Sequence, residues 1–359
     1  LFSGGLFPVA RPPDNPGAAT ICPLELFAVL PVVASASGSD ASFRGHVIMA
    51  ERDLFGFGGK PSVAVLANKR SGLGGRGGQA VNAIVTAISA HGVYPRIFMA
   101  GSGHLAEAVA ACKAHDPDVV VVIGGDGTIL AAAEAFMGTH TALAIIPQGT
   151  VNQLARDLLI PLDATLAIAA LATGTQRAID VGCVNDRAFL CTSVIGPLAK
   201  LQRYREEARG RVLATILSFL RTGLKAMTLR PATLAIRDDR SAWTEETRGV
   251  IVSVNPLAEM VSRVPFRETL DSGLLAVYAA RERGYLTLFK LAAAIFAGRA
   301  RIDPDIAFRE TPVLTIDARR EWLTILNDGE IRRLRTPLHF AVKPGALRVV
   351  VPQPPAAAP

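Results

Sequence analysis

Three short segments of the chain carry residues suited to holding phosphate. The first, Gly124-Gly125-Asp126-Gly127-Thr128, directly follows the apolar run Val119–Ile123 and directly precedes a helical pattern. A strand that turns through glycines into a helix presents free N–H groups and the positive end of the helix dipole to an anion. Glycines let the backbone approach phosphate oxygens with no Cβ in the way. Asp126 alone would repel phosphate, so its presence implies a Mg²⁺ ion bridging carboxylate and phosphates, or a hydroxyl partner. An ordinary tight turn would ask for the glycines but not for Asp126 and Thr128. The second segment runs Ile145-Ile146-Pro147-Gln148-Gly149-Thr150-Val151-Asn152-Gln153-Leu154-Ala155-Arg156. Here too an apolar strand ends in a turn, with Thr150 or Asn152 available as the N-cap of a following helix. The third, Asn327-Asp328-Gly329-Glu330, by itself reads as a hairpin turn.

The elements around these segments explain how two of them could meet. From Ser62 to Pro147 apolar strands and helical patterns alternate at short spacing: Val63–Ala67, a glycine-rich loop Ser71–Gly78, a helix through Ala80–Ile88, Arg96–Ala100, Leu105–Cys112, Val119–Ile123, Ile129–Phe136 and Leu143–Ile146. That rhythm predicts a parallel sheet covered on both faces. Both glycine turns then lie at strand carboxyl ends on one edge of the sheet, where such sheets bind ligands. After about Thr175 strand follows strand: Arg177–Val181, Ala188–Thr192, Thr233–Ile236, Gly249–Val254, Leu274–Ala279, Val313–Ile316, Trp322–Leu326, Leu338–Val342 and Leu347–Val351. This predicts an antiparallel sheet or sandwich. The expected organisation is an irregular or disordered extension over 1–60, an α/β domain over 61–175, a β-sandwich domain over 176–352 and a disordered tail over 353–359.

Composition narrows the function classes. Half of the 359 residues are hydrophobic and 19% are charged, enough apolar material for a sizeable core. Aromatics at 6% argue against a base-stacking nucleic-acid platform. The net charge of +7 suits an anionic substrate or an anionic membrane surface. No run of 18 apolar residues occurs, so no membrane-spanning helix is expected. Cys22, Cys112, Cys183 and Cys191 form no C-x-x-C pair, and buried thiols in a reducing compartment are the reading. Leu26–Ala36 ends in Ala34-Ser35-Ala36 like a secretion signal, but Glu25 abuts the apolar run and Arg11 alone is a poor basic flank. The chain begins with Leu, and Met49 lies shortly before the first good strand, so a start site placed too early or a disordered extension is expected there.

Taken together, the GGDGT of Gly124–Thr128, the P-x-G-T-x-N-x-x-A-R of Pro147–Arg156 and the D-G-E of Asp328–Glu330 resemble the diacylglycerol kinase catalytic-domain family, which includes bacterial lipid kinases and sphingosine kinases. The resemblance covers about residues 60–352. It extends to Asn68 with Ser71-Gly72 after the first strand, to Ile179–Gly182 and to the closing strand Leu347–Pro352. It implies an ATP-dependent kinase that phosphorylates a hydroxyl of a membrane lipid such as diacylglycerol. The implied fold is an α/β nucleotide domain and a β-rich domain with a lipid cleft between them. Asn68, Gly124, Gly125, Asp126, Gly127, Thr128, Gly149, Thr150 and Asn152 would surround ATP and its Mg²⁺, with Asp126 facing the metal. Asp328 would be the general base and Glu330 would orient it. The implied setting is cytoplasmic, at the inner face of the membrane, without nucleic acid; monomer and homo-oligomer both stay open.

Three departures from the family pattern stand out. Val151 occupies the place where glycine is commonest, Arg96–Gly103 lacks a threonine that several relatives use at the nucleotide, and Ser272 replaces an aspartate. Asp271, displaced by one residue, is then the remaining candidate for a structural Mg²⁺ site. Two alternatives follow. NAD kinases share GGDGT, although their usual G-T-x-G-F-L is replaced here by Gly149–Leu154; and the changes at Val151 and Ser272 would suit a non-catalytic lipid-binding or regulatory protein. A helix over Tyr204–Met227 is expected, its part Arg209–Met227 mixing Arg209, Arg211, Arg221 and Lys225 with apolar residues. That mixture suits an anionic membrane interface or a solvated cover on the sandwich. The apolar pattern of Tyr285–Arg299 reads as packing.

Overall fold

Val, Ile and Ala runs without polar alternation form strands buried on both faces, and here they build the centre of the α/β part. The computed structural model describes residues 54–68, 77–101, 103–195, 231–260, 266–281 and 287–353, with the backbone alone at 77–80 and 287–289. The expected features at 1–53, the basic helix Arg209–Met227 and the tail from 354 lie outside the described residues. All the described residues belong to one compact unit.

The α/β part contains β1 (Val63–Asn68), α1 (Gly77–Ser89), β2 (Arg96–Ala100), α2 (Leu105–Ala114), β3 (Val119–Gly124), α3 (Asp126–Phe136), β4 (Ala142–Pro147), α4 (Gln153–Asp157) and α5 (Ala164–Ala172). The strands pair in parallel in the order β2-β1-β3-β4. Every residue of β3 and β4 is buried, as a central strand of a doubly covered sheet requires. The chain leaves β1 toward β2 and then crosses back to β3, so the order reverses between β1 and β3. That crevice is where open α/β sheets take ligands. Asn68 ends β1 there, and Gly124 ends β3.

The β-rich part follows with β5 (Thr175–Val184), β6 (Arg187–Phe189), β7 (Thr192–Ile195), β8 (Ala232–Arg237), β9 (Ala242–Val254), β10 (Leu275–Arg281), α6 (Thr287–Phe296), β11 (Ile306–Thr311), β12 (Val313–Ala318), β13 (Trp322–Asn327), β14 (Glu330–Arg335) and β15 (Leu338–Val351). Alternation sets its inner face: Leu323 and Ile325 of β13 join Ile195, Val250 and Val252 in one apolar cluster. A smaller cluster forms where Leu291, Ala294 and Ile295 of α6 cover Tyr278, so that helix is packing as expected.

The structure revises four boundaries. Leu338–Val342 and Leu347–Val351 are one strand, β15, bent where its register shifts between Lys343 and Leu347. Its first half pairs antiparallel with β12 and its second half parallel with β4, while β5 follows it along both halves. Thus β5 and β15 join the parallel sheet to the β-rich part by main-chain hydrogen bonds. The run Ala188–Thr192 is broken at Leu190–Cys191, between β6 and β7. Helix α3 starts at Asp126, inside the glycine motif, not at Ile129. Finally, Leu54 and Phe55, assigned to the N-terminal extension by their surroundings, are buried in the α/β core.

Candidate active site

The two glycine turns touch backbone to backbone. A Cβ built on Gly149 would lie 2.9 Å from Gly125 Cα, and one built on Gly125 would lie 3.1 Å from Gly149 Cα. Gly149 has no room for a Cβ, and at Gly125 one would be tight. Asn152 sustains the second turn from a left-handed conformation (φ 52°): its Oδ1 accepts from Gly149 N at 2.7 Å and its Nδ2 donates to Gly149 O at 3.0 Å.

The expected N-cap is therefore corrected. Asn152 occupies the cap position of α4, but its side chain bonds to Gly149, and Thr150 is exposed. Asp126, from the first motif, caps α4 instead. Its carboxylate accepts from Asn152 N at 3.1 Å and from Gln153 N at 3.0 Å. Asp126 thus ties the two motifs together. Each oxygen keeps a lone pair with which it could also meet a cation. Asp126→Ala is expected to lower stability by about 1 kcal/mol through loss of this cap, measurable as a lower midpoint in urea unfolding.

The N-cap of α3 is Gly125, which has no side chain to cap the helix, and no side-chain cap is made there among the described residues, so its first N–H groups suit an anion. The Thr128 side chain, however, turns inward: it is buried over Gly124, and its hydroxyl accepts from Asn68 Nδ2 at 3.3 Å. Asn68 and Thr128 therefore tie the end of β1 to the first turn of α3 across the switch point.

The third segment forms a two-residue hairpin turn between β13 and β14, with Asn327 paired to Glu330. Asp328 (φ 45°) and Gly329 (φ 88°) both take positive φ, the conformation such a turn demands. The turn also carries the candidate base, Asp328. The Asp328 carboxylate accepts from Leu190 N at 2.5 Å, Cys191 N at 2.9 Å and Thr192 N at 2.9 Å, donors released by the break between β6 and β7. Burial pushes its pKa above the usual carboxylate range, against those three N–H groups and the Arg267 guanidinium, which pull it down.

Glu330 does not orient Asp328 as expected; backbone N–H groups do. Glu330 is exposed, and its Oε1 faces the α3 terminus, 3.1 Å from where a Cβ on Gly127 would be. The hairpin thereby reaches the first glycine motif, and all three segments gather in one place.

Asp271 does not belong to this gathering. Its carboxylate forms an exposed ion pair with Arg177 at 3.0 Å, and no group of three His, Cys, Asp or Glu residues that could hold a metal occurs among the described residues. The turn is held by hydrogen bonds instead: Ser272 N and Oγ donate to Asn255 Oδ1, and Gly273 N donates to Asp180 at 2.7 Å. The residues of this loop are thus tied by hydrogen bonds, with Asp271 paired to Arg177.

Two site residues have no signal in the sequence. Arg267 and Asp157, 110 positions apart, form a fully buried ion pair at 2.6 Å beside the Asp328 segment. The thiols of Cys112, Cys183 and Cys191 are free and buried, as expected. Burial pushes that of Cys191 well up, away from thiolate chemistry.

A glycine loop opening into a helix at the switch point of a parallel sheet, faced by a carboxylate on a β-hairpin, defines an α/β protein built to handle phosphoryl groups. The chain belongs to the diacylglycerol kinase catalytic domain family, whose domain matches residues 62–184. It is 30% identical over 238 residues to a Pseudomonas aeruginosa (strain UCBPP-PA14) protein named "Probable lipid kinase YegS-like", covering 65% of this chain and 76% of that one. It is 23% identical over 233 residues to the diacylglycerol kinase of Bacillus subtilis strain 168, covering 64% and 76%. A solved structure described as a diacylglycerol kinase from Bacillus anthracis str. Sterne shares the fold, with a TM-score of 0.60 at 19% identity over 83% of this chain and 98% of that one.

Proposed function

We propose that this protein is an ATP-dependent lipid kinase that phosphorylates a hydroxyl of a membrane lipid such as diacylglycerol. The observation that carries the reading is the meeting of the Asp328 hairpin with the open α3 terminus, through Glu330 and Gly127. A base and a phosphate cradle then share one site, and phosphoryl transfer asks mainly for positioning and charge neutralisation. The family membership and the names of the relatives support the same reading.

The cradle suits the phosphates of ATP. It has a helix that begins at a glycine and, at Gly149, a backbone packed so closely on Gly125 and Asn152 that no Cβ fits. Asp126, with a lone pair left on each oxygen, suits the accompanying Mg²⁺. When bound, MgATP supplies the phosphoryl group and the leaving ADP. Gly124–Thr128 and Gly149 position the phosphates, the Asn68–Thr128 bond holds the end of β1 against the first turn of α3, and Asp328 takes the proton from the attacking hydroxyl. The lipid bond formed is oxygen to γ-phosphorus, and the bond broken joins that phosphorus to the ADP oxygen.

Among the described residues no helix is long and apolar enough to cross a membrane. The lipid is proposed to be met by peripheral contact with the inner face of the membrane, from the cytoplasm, as the resemblance to lipid kinases implies.

Purified protein incubated with labelled ATP and a total lipid extract should yield a phosphorylated lipid, identified by mass. NADP formed from added NAD with no lipid product would overturn the proposal. Since Asp328 must be unprotonated to act, and burial raises its pKa, kcat should fall on acidification at a pH above the ordinary aspartate value of about 3.9. A kcat profile flat down to the ordinary aspartate range would exclude Asp328 as the base.

A further inference from the structure

Arg267 is buried, and its guanidinium gathers three separate segments of the chain, at Asp157, Leu190–Cys191 and Val254. Nε and Nη2 donate to Asp157 Oδ2 at 2.9 and 2.6 Å, and the Arg267 main-chain N donates to Asp157 Oδ1 at 3.2 Å. Nη1 donates to Leu190 O at 2.7 Å and to Val254 O at 2.9 Å, and Nη2 also lies 3.3 Å from Cys191 Sγ. Leu190 and Cys191 are the residues whose N–H groups hold Asp328. Asp157, in turn, ends α4, the one-turn helix whose first N–H groups are capped by Asp126. The contacts run without a gap from the phosphate loop through Asp126, α4, Asp157 and Arg267 to the main chain that carries the base.

A buried ion pair is a weak source of stability, because desolvating both ions offsets their attraction, and apolar residues of similar volume often serve as well. What the guanidinium offers is direction: a rigid fork of donors that reaches several acceptors at once.

We infer that Arg267, braced by Asp157, is a positioning residue for Asp328. It fixes the Leu190–Cys191 main chain on which the base rests and couples that base to the phosphate loop through α4. The inference rests on the reading of Asp328 as the base. The charged and titratable groups around this segment are the Arg267 guanidinium, which acts on Asp328, and the Cys191 thiol, which in turn feels Arg267, Asp328, Asp157 and Asp126; Glu330, on the same hairpin, faces Gly127.

The test compares the wild-type chain with the double variant Asp157→Leu/Arg267→Met, which removes both charges at similar volume, and with Arg267→Lys, which keeps the cation but loses the fork. Folding is checked by thermal melting, and kcat, KM for ATP and the pH profile are measured with the lipid acceptor. The double variant should melt cooperatively, keep its KM for ATP within about twofold and lose about tenfold or more in kcat. Its acid limb should move up, because the cation that favours the Asp328 anion is gone. Arg267→Lys should keep the limb and still lose kcat. A folded double variant with wild-type kcat and an unmoved limb would overturn the inference, as would full activity in Arg267→Lys; the second criterion decides if the double variant does not fold. Titration of the Asp328 carboxyl carbon by ¹³C NMR reads the same pKa rise without turnover. If the wild type phosphorylates no lipid, the kinase reading fails, while the NMR shift still decides whether Arg267 governs Asp328.

Discussion

Asp328→Asn is expected to reduce phosphoryl transfer by about a thousandfold while leaving ATP binding intact, within the range a positioned general base supplies. The reason is local. An amide of the same shape cannot take a proton from the acceptor hydroxyl at neutral pH. It also fits poorly where it sits. Three N–H groups, from Leu190, Cys191 and Thr192, converge on the two carboxylate oxygens. An amide offers one oxygen, and its NH₂ would face a donor. A stability loss of about 1–3 kcal/mol therefore accompanies the lost activity. Calorimetric titration with ATP separates the two effects, because Asp328 makes no hydrogen bond to Gly124–Thr128 or Gly149. Retention of more than a tenth of wild-type kcat would remove Asp328 from the mechanism, and loss of ATP binding in a folded variant would mean that the hairpin shapes the nucleotide site itself.

Gly149→Ala should abolish productive ATP binding, with kcat/KM for ATP falling by about 100-fold, the penalty for shifting a reacting group by roughly an ångström. The added methyl would lie 2.7 Å from Asn152 Oδ1 and 2.9 Å from Gly125 Cα. Neither neighbour can step aside. Gly125 is backbone, and Asn152 is held by its two bonds to Gly149. Relief must come from parting the two loops, which also pulls Asn152 and Gln153 from Asp126. Gly127→Ala is the internal control. Its methyl would meet only Glu330 Oε1 at 3.1 Å, the far end of a flexible and exposed side chain. A much smaller loss is expected there. Equal losses in the two variants, measured alongside their melting temperatures, would show that general intolerance of the loops, not the contact between them, sets the effect.

The resemblance was written in contiguous residues, and those survive in the structure. GGDGT does end a buried strand and open a helix, and the second turn lies beside it on the same sheet edge. What changed is the work of individual side chains. Asp126 caps a neighbouring helix, Thr128 bonds Asn68, and Glu330 faces Gly127 instead of Asp328. A motif states which residue types occur together; hydrogen-bond partners depend on where the next turn of chain passes. Asp271 shows the limit from the other side. Its type and place suit a metal, but Arg177, 94 positions away, takes the carboxylate.

By itself the sequence determined what depends on near neighbours: the parallel sheet, from uninterrupted apolar runs at short spacing; the glycine turns, from residues that alone tolerate their backbone; and the hairpin turn, from Asp-Gly. Only the tertiary structure decided what depends on distant segments meeting. It joined Leu338–Val342 to Leu347–Val351 as one strand bridging both parts, broke Ala188–Thr192 so that three N–H groups could hold Asp328, and buried Arg267 against Asp157. The physical reason is the same in each case. A break in a strand or a buried charge is unfavourable locally and becomes stable only when a partner from elsewhere satisfies it. Periodicity in one stretch of sequence carries no trace of that partner.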